Sequence, residues 1–254
     1  MKIVYDIKRE FEQCPMEDIS KLIELYSTDT RGGVQKIIQT HMRKLEKYQK
    51  EILRVETMLE FEKIYHEKGH EFIAGVDEVG RGPLAGPVVS AAVILPKGLI
   101  IPNVNDSKKL PQRKREELCE IIKEKAIDVG IGIVGVRSID NFNILNASKT
   151  SMIMAVEELK QAPDYVLVDG RFTIKINIPQ RPIVRGDEKS ISIACASIIA
   201  KVARDSMMDE YHKEYPEYGF ATNKGYGTPE HFDAIKKYGL TPIHRKTFCS
   251  QFLL

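Results

Sequence analysis

The sequence has few cysteines and lacks any apolar run long enough to cross a bilayer. Its four cysteines are scattered and form no C-x-x-C pair, which argues against a zinc knuckle and against a disulfide framework. The first residues, MKIVYDIKREFEQ, carry charges throughout and lack the apolar stretch of a signal peptide. We therefore expect a cytoplasmic protein that does not enter a membrane.

A strong charge of either sign is also absent, because 38 Lys and Arg residues nearly balance 36 Asp and Glu residues, for a formal net charge of +2. Composition alone therefore does not indicate nucleic-acid binding, and any electropositive surface must come from local clustering. A chain of 254 residues is long enough for one catalytic domain with a small second unit.

Residues 1–70 differ in pattern from the rest of the chain. Two segments, residues 16–28 and 34–68, have apolar positions at three- and four-residue steps, which predicts helices separated by a break at residues 27–33. The second segment is rich in lysine and arginine. This basic face either follows a phosphate backbone or is simply solvated, and we favour the solvated interpretation because no base-reading motif accompanies it. We predict a small helical N-terminal extension of unassigned role.

From Glu71 onward, short β-rich runs alternate with helical segments, which predicts an α/β domain over residues 71–254 with a C-terminal helical region. The order of the elements favours a mixed sheet with an antiparallel start and a parallel continuation. The predicted strands are residues 72–76, 88–95, 129–136, 165–170 and 175–184. The predicted helices are residues 111–126, 139–160, 190–215 and 228–238.

Three of the predicted strands lead into carboxylates. Asp77 and Glu78 follow the first strand, Asp169 ends the run YVLVD, and Asp187 follows the run PIVRG. Neighbouring residues on a strand point to opposite faces, so Asp77 and Glu78 can share a site only where the strand ends or bulges. Each Asp alone is better explained as a turn residue, but three such strand ends in one domain favour a common site.

Clustered carboxylates repel one another unless a cation neutralises them. Because these positions offer oxygen ligands and neither histidine nor cysteine, the site suits Mg²⁺ or Mn²⁺ rather than zinc.

Several blocks of the sequence resemble, in one consistent order, the motifs of bacterial ribonuclease HII, a family of type 2 ribonucleases H. They are DEVGRGPLAGPV at residues 77–88, DSKKL at 106–110, VDG at 168–170, GDEK at 186–189, ASIIAKVARD at 196–205, GYGT at 225–228 with His231, and HR at 244–245 with Phe248. Together they span residues 71–248, whereas residues 1–70 match nothing with an assigned role.

This resemblance implies an RNase H-like mixed β-sheet flanked by helices. It also implies that Asp77, Glu78, Asp169 and Asp187 are the catalytic residues and ligate Mn²⁺ or Mg²⁺. The implied activity is two-metal hydrolysis of the RNA strand of RNA–DNA hybrids, and cleavage 5′ of ribonucleotides embedded in duplex DNA, with 5′-phosphate and 3′-hydroxyl products. The implied biological setting is ribonucleotide excision in DNA replication and repair.

The resemblance also implies the substrate contacts. Gly80, Arg81 and Gly82 match the family's element for sensing the ribose 2′-hydroxyl, the group that distinguishes RNA from DNA. Tyr226 matches a tyrosine that packs on the sugar at the scissile junction. The candidate phosphate contacts, each also explicable as a surface charge, are Lys108, Lys109, Lys189 and Arg204.

His231 and His244 are ligands in principle, but their positions favour structural hydrogen bonds. The apolar end of the tail, residues 249–254, either docks on a partner such as a sliding clamp or is frayed. We expect a monomer.

Three alternatives are open: ribonuclease HIII, a sister family that usually has lysine at the position of Arg81; a metal-dependent exonuclease or transposase-type nuclease of the same fold; and a non-catalytic hybrid-binding module.

Overall fold

The computed structural model describes residues 2–250, so the end of the C-terminal tail, residues 251–254, lies outside the described residues. The chain divides into two compact units, Met1–Thr57 and Met58–Leu254. No helix within the described residues is both long enough and apolar enough to cross a membrane.

The described part of the first unit, residues 2–57, contains three α-helices. They are α1 (Val4–Gln13), α2 (Ile19–Leu25) and α3 (Gly32–Thr57). Its core is formed by apolar side chains from all three helices. They are Ile7, Phe11, Ile19, Val34 and Ile38. The sequence predicted α2 and α3, whereas α1 was not predicted as a separate element.

The second unit contains a five-stranded sheet and six helices within the described residues. The strands are β1 (Ile73–Val79), β2 (Val88–Ile94), β3 (Asp128–Val134), β4 (Tyr165–Asp169) and β5 (Gln180–Ile183). The helices are α4 (Glu60–Glu67), α5 (Gln112–Lys125), α6 (Val136–Glu157), α7 (Ile191–Glu214), α8 (Phe220–Asn223) and α9 (Pro229–Tyr238).

The strand order is β3-β2-β1-β4-β5. The pairs β1–β2 and β2–β3 are antiparallel, whereas β1–β4 and β4–β5 are parallel. The predicted mixed sheet, with an antiparallel start and a parallel continuation, is therefore confirmed. The last predicted strand is shorter than expected, because only Gln180–Ile183 pairs with β4.

Side-chain alternation gives the sheet two buried faces. On one face, Ala74 and Val76 of β1 and Val166 and Val168 of β4 form a core cluster with Met152 of α6. On the other face, a second cluster joins the sheet to α7 and α4. Its buried members are Tyr65, Ile73, Leu167, Ile183 and Ile193.

Helix α7 approaches β1 very closely. A Cβ at Gly75 would lie 2.2 Å from the Ser192 carbonyl carbon, so only glycine permits this contact.

The predicted long helix over residues 34–68 is two helices, α3 and α4, and they fall in different units. Buried Glu62 of α4 accepts hydrogen bonds from the Ser190 hydroxyl at 2.6 Å and from the Ser192 amide at 3.0 Å. These contacts attach α4 to the first turn of α7. The unit with the sheet therefore begins at Met58, before the boundary at residue 70 that the change of sequence pattern predicted.

Candidate active site

Three carboxylates converge at the end of the sheet. Asp77 and Glu78 lie near the end of β1, and Asp169 is the last residue of the neighbouring parallel strand β4. Oxygen atoms of the three side chains lie within 4.8 Å of one another. Asp77 is buried, whereas Glu78 and Asp169 are partly exposed.

Glu78 reaches this group without a bulge in the strand. β1 continues through both acids in regular antiparallel register with β2, as the pairs Asp77–Ala91 and Glu78–Ser90 show. The sequence had placed both acids after the strand, and that expectation was wrong. The parallel pairing of β1 with β4 ends one residue earlier, at Val76. Beyond Val76, no described residue pairs with β1 on that side, which leaves room for the longer Glu78 side chain to reach toward Asp77.

Burial and mutual repulsion favour the protonated forms of these acids. Burial raises the pKa of Asp77 well above its usual range, and the charges of Glu78 and Asp169 raise it further. Burial likewise raises the pKa of Glu78 to about 7, although Arg81, 3.2 Å away, partly opposes the shift. The pKa of Asp169 is also raised by burial. Ionising all three acids together is therefore unfavourable unless a cation offsets their charge.

Asp187 lies beside this group on a short 3-10 helix, Gly186–Glu188. Burial, followed by the charge of Asp169, raises the pKa of Asp187 to about 6. The Gly186 amide donates to Asp169 at 2.6 Å, which ties this helix to the end of β4. Asp187 is not within the tight group of three, so the structure brings the four predicted acids together as a cluster of three with a neighbour.

The chemistry of the cluster fits a hard divalent cation. Its donors are carboxylate oxygens, which Mg²⁺ and Mn²⁺ prefer. One oxygen of Glu78, Oε2, is buried and has no hydrogen-bond partner among residues 2–250, although buried polar atoms are nearly always satisfied. A bound cation would supply the missing partner and would offset the raised pKa values.

The glycine-arginine-glycine segment and Tyr226 lie side by side next to the acids. Gly80 has φ +94°, and a Cβ at this position would lie 2.3 Å from Arg204 Nε, so the backbone here requires glycine. A Cβ at Gly82 would lie 3.5 Å from Tyr226 Cε1, which places the two elements in near contact. The Tyr226 side chain is 44% exposed, so its ring is accessible from solvent.

The three predicted lysines have different surroundings. Lys108 faces the acids: burial opposes its charged form, but the carboxylates of Asp106 and Asp77 outweigh burial and raise its pKa. Lys109 instead forms an ion pair with Glu188 at 2.8 Å. Lys189 is turned back on its own segment and donates to the Val184 carbonyl at 2.9 Å.

Arg204 was predicted to contact phosphate, and the structure contradicts this. The residue is fully buried, and its guanidinium donates to the carbonyls of Pro87, Lys224 and Ala85 at 2.9 to 3.0 Å. Its charge therefore holds loops together and is not available to a ligand. The prediction was wrong because Arg204 lies on the buried side of α7 rather than at the surface.

His231 and His244 form a buried pair, with their Nε2 atoms 2.9 Å apart. This arrangement agrees with the structural role expected for them. Arg245, which belongs to a quoted motif but had no assigned role, is fully buried and contacts the backbone of Gly80 and Arg81. No local sequence pattern indicates these contacts, because the partners lie more than 160 residues apart.

Comparison with known families matches nearly the whole chain. The family described as Ribonuclease HII matches residues 74–251, and the family described as Ribonuclease HII N-terminal domain matches residues 4–66. A ribonuclease HII of Clostridioides difficile (strain 630) is 53% identical over 252 residues, which are 99% of each chain. A ribonuclease HII of Caldanaerobacter subterraneus subsp. tengcongensis is 58% identical over 205 residues, covering 81% of this chain and 85% of the relative.

Solved structures agree with this match. The ribonuclease H2 of Pyrococcus horikoshii OT3 has a TM-score of 0.61 and 27% identity, covering 71% of this chain and 96% of the other. Ribonuclease HII from Archaeoglobus fulgidus, solved in complex with PCNA, has a TM-score of 0.58 and 26% identity, covering 68% of this chain and 93% of the other. A Bst ribonuclease HIII in complex with Mn²⁺ has a TM-score of 0.51 and 18% identity, covering 70% of this chain and 64% of the other. At this low identity the similarity shows a shared fold alone.

Proposed function

The chain belongs to the ribonuclease HII family and is a ribonuclease H, and from that premise we propose how its site selects and cuts its substrate. The proposed substrates are the RNA strand of RNA–DNA hybrids and single ribonucleotides embedded in duplex DNA, cut on their 5′ side. The observation that carries this proposal is the convergence of Asp77, Glu78 and Asp169 next to the Gly80–Gly82 segment and Tyr226.

The acids are proposed to hold the catalytic cations. Asp77, Glu78 and Asp169 would ligate Mg²⁺ or Mn²⁺, with Asp187 completing the site from the adjacent 3-10 helix. Bound there, two ions would supply an activated water and neutralise the leaving 3′ oxygen, so that the products carry 5′-phosphate and 3′-hydroxyl ends. Lys108, which faces the carboxylates, would contact a phosphate of the substrate at the same end of the sheet.

Selection of RNA is proposed to depend on the backbone of Gly80, Arg81 and Gly82. Without a Cβ at Gly80 and Gly82, backbone N–H and C=O groups can come within hydrogen-bond distance of the ribose 2′-hydroxyl. Tyr226, exposed beside Gly82, would pack on the neighbouring sugar. The hydrogen bonds to the 2′-hydroxyl form only when a ribose occupies the position, so a deoxyribose there would leave their polar groups unsatisfied.

A contact with a sliding clamp is proposed from the Archaeoglobus fulgidus relative, which is known in complex with PCNA. The C-terminal tail, residues 249–254, is the segment that we propose for it.

The test is cleavage of a labelled RNA–DNA hybrid with both ends blocked, with Mg²⁺, with Mn²⁺ and with a chelator. The proposal predicts internal cleavage with either metal, none with chelator, and products with 5′-phosphate ends. A requirement for a free end would favour the exonuclease alternative. Binding without cleavage under all conditions would favour a non-catalytic hybrid-binding module.

A further inference from the structure

We propose that the adjacent residues His244 and Arg245 are positioning residues that hold the two halves of the 2′-hydroxyl sensor in register. The two halves are the Gly80–Gly82 segment and Tyr226. This inference rests on the proposed function, since it concerns how the proposed sensor is held. Neither residue is proposed to touch the substrate.

Arg245 holds the first half. Its guanidinium donates to the Gly80 carbonyl at 2.6 Å, to the Arg81 carbonyl at 3.0 Å, and to the Gly86 carbonyl at 2.8 Å. The side chain is fully buried, and its hydrogen-bond partners among the described residues are backbone carbonyls. A buried guanidinium normally has a carboxylate partner. Here the fixed fork of donors is directed at the loop that carries the sensor.

His244 holds the second half through His231. Nδ1 of His231 lies 2.8 Å from the Tyr226 carbonyl, which can only accept, so this nitrogen carries the proton. Nε2 of His231 must then accept from Nε2–H of His244. Nδ1 of His244 accepts from the Thr241 amide at 2.9 Å, which is consistent with that assignment. The donors therefore form one directed chain from Thr241 to the Tyr226 backbone.

Burial keeps this chain in a single protonation state. Burial lowers the pKa of His231, and burial together with the nearby His231 lowers the pKa of His244 to about 4. The ring centroids of Tyr218 and Phe220 lie 5.2 to 6.2 Å from those of the two histidines. Both histidines are therefore neutral at physiological pH, with fixed tautomers, and Tyr226 has a fixed anchor.

The backbone joins the two halves at the same point. His244 forms a β-bridge with Ala85, and the Arg245 amide donates to the Leu84 carbonyl at 2.8 Å. The Leu84 amide donates to the Gly225 carbonyl at 2.8 Å, directly before Tyr226. A displacement of the 244–245 dipeptide would therefore move both halves of the sensor at once.

A double-mutant cycle tests the His244 arm. His244→Ala and Tyr226→Ala are made singly and together, and kcat and KM are measured on a duplex with one ribonucleotide. If His244 acts through Tyr226, His244→Ala lowers kcat about tenfold in the wild-type background but less than about twofold in the Tyr226→Ala background. His244→Gln, which keeps a donor near the Nε2 position, should recover part of the loss. Equal losses in both backgrounds would overturn the proposal.

Arg245→Lys tests the other arm, since lysine keeps the charge but lacks the planar fork of donors. The expected result is a smaller preference for a ribonucleotide over its 2′-deoxy counterpart, with KM little changed. An unchanged preference would overturn this arm.

His66→Ala is the matched control for His244→Ala. The His66 ring also contacts a backbone carbonyl, that of His70, at 2.9 Å, and it lies away from the sensor.

Two further results separate the possible failures. If His244→Ala does not fold, the same cycle is run with His244→Gln, which should show a smaller loss that also disappears in the Tyr226→Ala background. If Tyr226→Ala alone leaves cleavage at the single ribonucleotide unchanged, the proposed sensor fails before the cycle is interpreted. Metal-dependent cleavage of a long hybrid by every variant shows that the acid cluster still works.

Discussion

Glu78→Gln replaces one charged oxygen of the acid cluster with a neutral amide of nearly the same size. In the metal-free protein, burial raises the pKa of Glu78 from 4.5 to about 7. The folded state therefore binds the Glu78 proton more tightly than the unfolded state does. The stabilising contribution of this bound proton is complete below about pH 4.5 and is lost as the pH rises to about 7. Since a tenfold change in proton affinity corresponds to ~1.4 kcal/mol, the ionised carboxylate costs up to about 3 kcal/mol above pH 7.

The variant lacks this pH-dependent loss, so we expect it to be more stable than the wild type at pH 8 and about equally stable near pH 4.5. A gain of about 1–3 kcal/mol corresponds to a Tm increase of roughly 3–10 °C for a domain of this size. The assay is thermal unfolding followed by circular dichroism in the presence of a chelator at both pH values. Added Mn²⁺ should raise the Tm of the wild type more than that of Glu78→Gln, because a ligand has been removed.

The matched control is Glu117→Gln, which removes an exposed carboxylate that pairs with Arg113 at 3.1 Å. The pKa of Glu117 is lowered by hydrogen bonds from Lys114 and Arg113, so its removal should give no gain at pH 8. A Tm of Glu78→Gln at or below that of the wild type at pH 8 would refute the repulsion argument. An equal gain at both pH values would refute it as well.

Further outcomes follow from the same structure. Asp77→Asn or Asp169→Asn should abolish cleavage while leaving the fold intact. Asp233→Asn, which changes an exposed residue, should leave cleavage unchanged. If Asp77→Asn or Asp169→Asn retains more than about a tenth of the wild-type rate, a loss under ~1.4 kcal/mol, the ligand assignment is contradicted. Removing residues 1–57 should leave a folded, active enzyme. Removing residues 1–70 should give a lower Tm, because the buried hydrogen bonds of Glu62 are then lost and each unsatisfied group costs about 1–3 kcal/mol of stability. Equal Tm values for the two deletions would contradict this. If the basic face of α3 contacts phosphate, removing residues 1–57 should also reduce the slope of log affinity for hybrid against log salt, and an unchanged slope would support the solvated interpretation.

Local signals in the sequence predicted most of the fold. Alternating and continuous apolar runs located the strands, and their order predicted the mixed sheet. The helix predicted at residues 228–238 corresponds to α9, and its start is capped locally, because the Thr228 hydroxyl accepts from the His231 amide at 3.3 Å. These features depend on neighbouring residues, so a single sequence contains them.

Features that depend on distant partners could not be predicted. The break between α3 and α4 follows from the packing of α4 against Ile73 and Leu167, which the helical periodicity does not reveal. Glu78 joins the acid cluster only because the pairing of β1 with β4 ends at Val76. The burial of Arg204 and Arg245 likewise follows from carbonyls supplied by remote loops.

Cleavage of a DNA duplex that contains one ribonucleotide is the most stringent test of the proposed 2′-hydroxyl sensor. The substrate carries a label and one central ribonucleotide, and the matched substrate carries the 2′-deoxy counterpart at the same position. Product lengths are compared on a denaturing gel, with a duplex containing several consecutive ribonucleotides alongside. The arrangement of Gly80, Gly82 and Tyr226 beside the acids predicts one cut, 5′ of the ribonucleotide, and none in the all-DNA duplex. Cleavage only where several ribonucleotides follow one another would contradict the sensor and favour the ribonuclease HIII alternative.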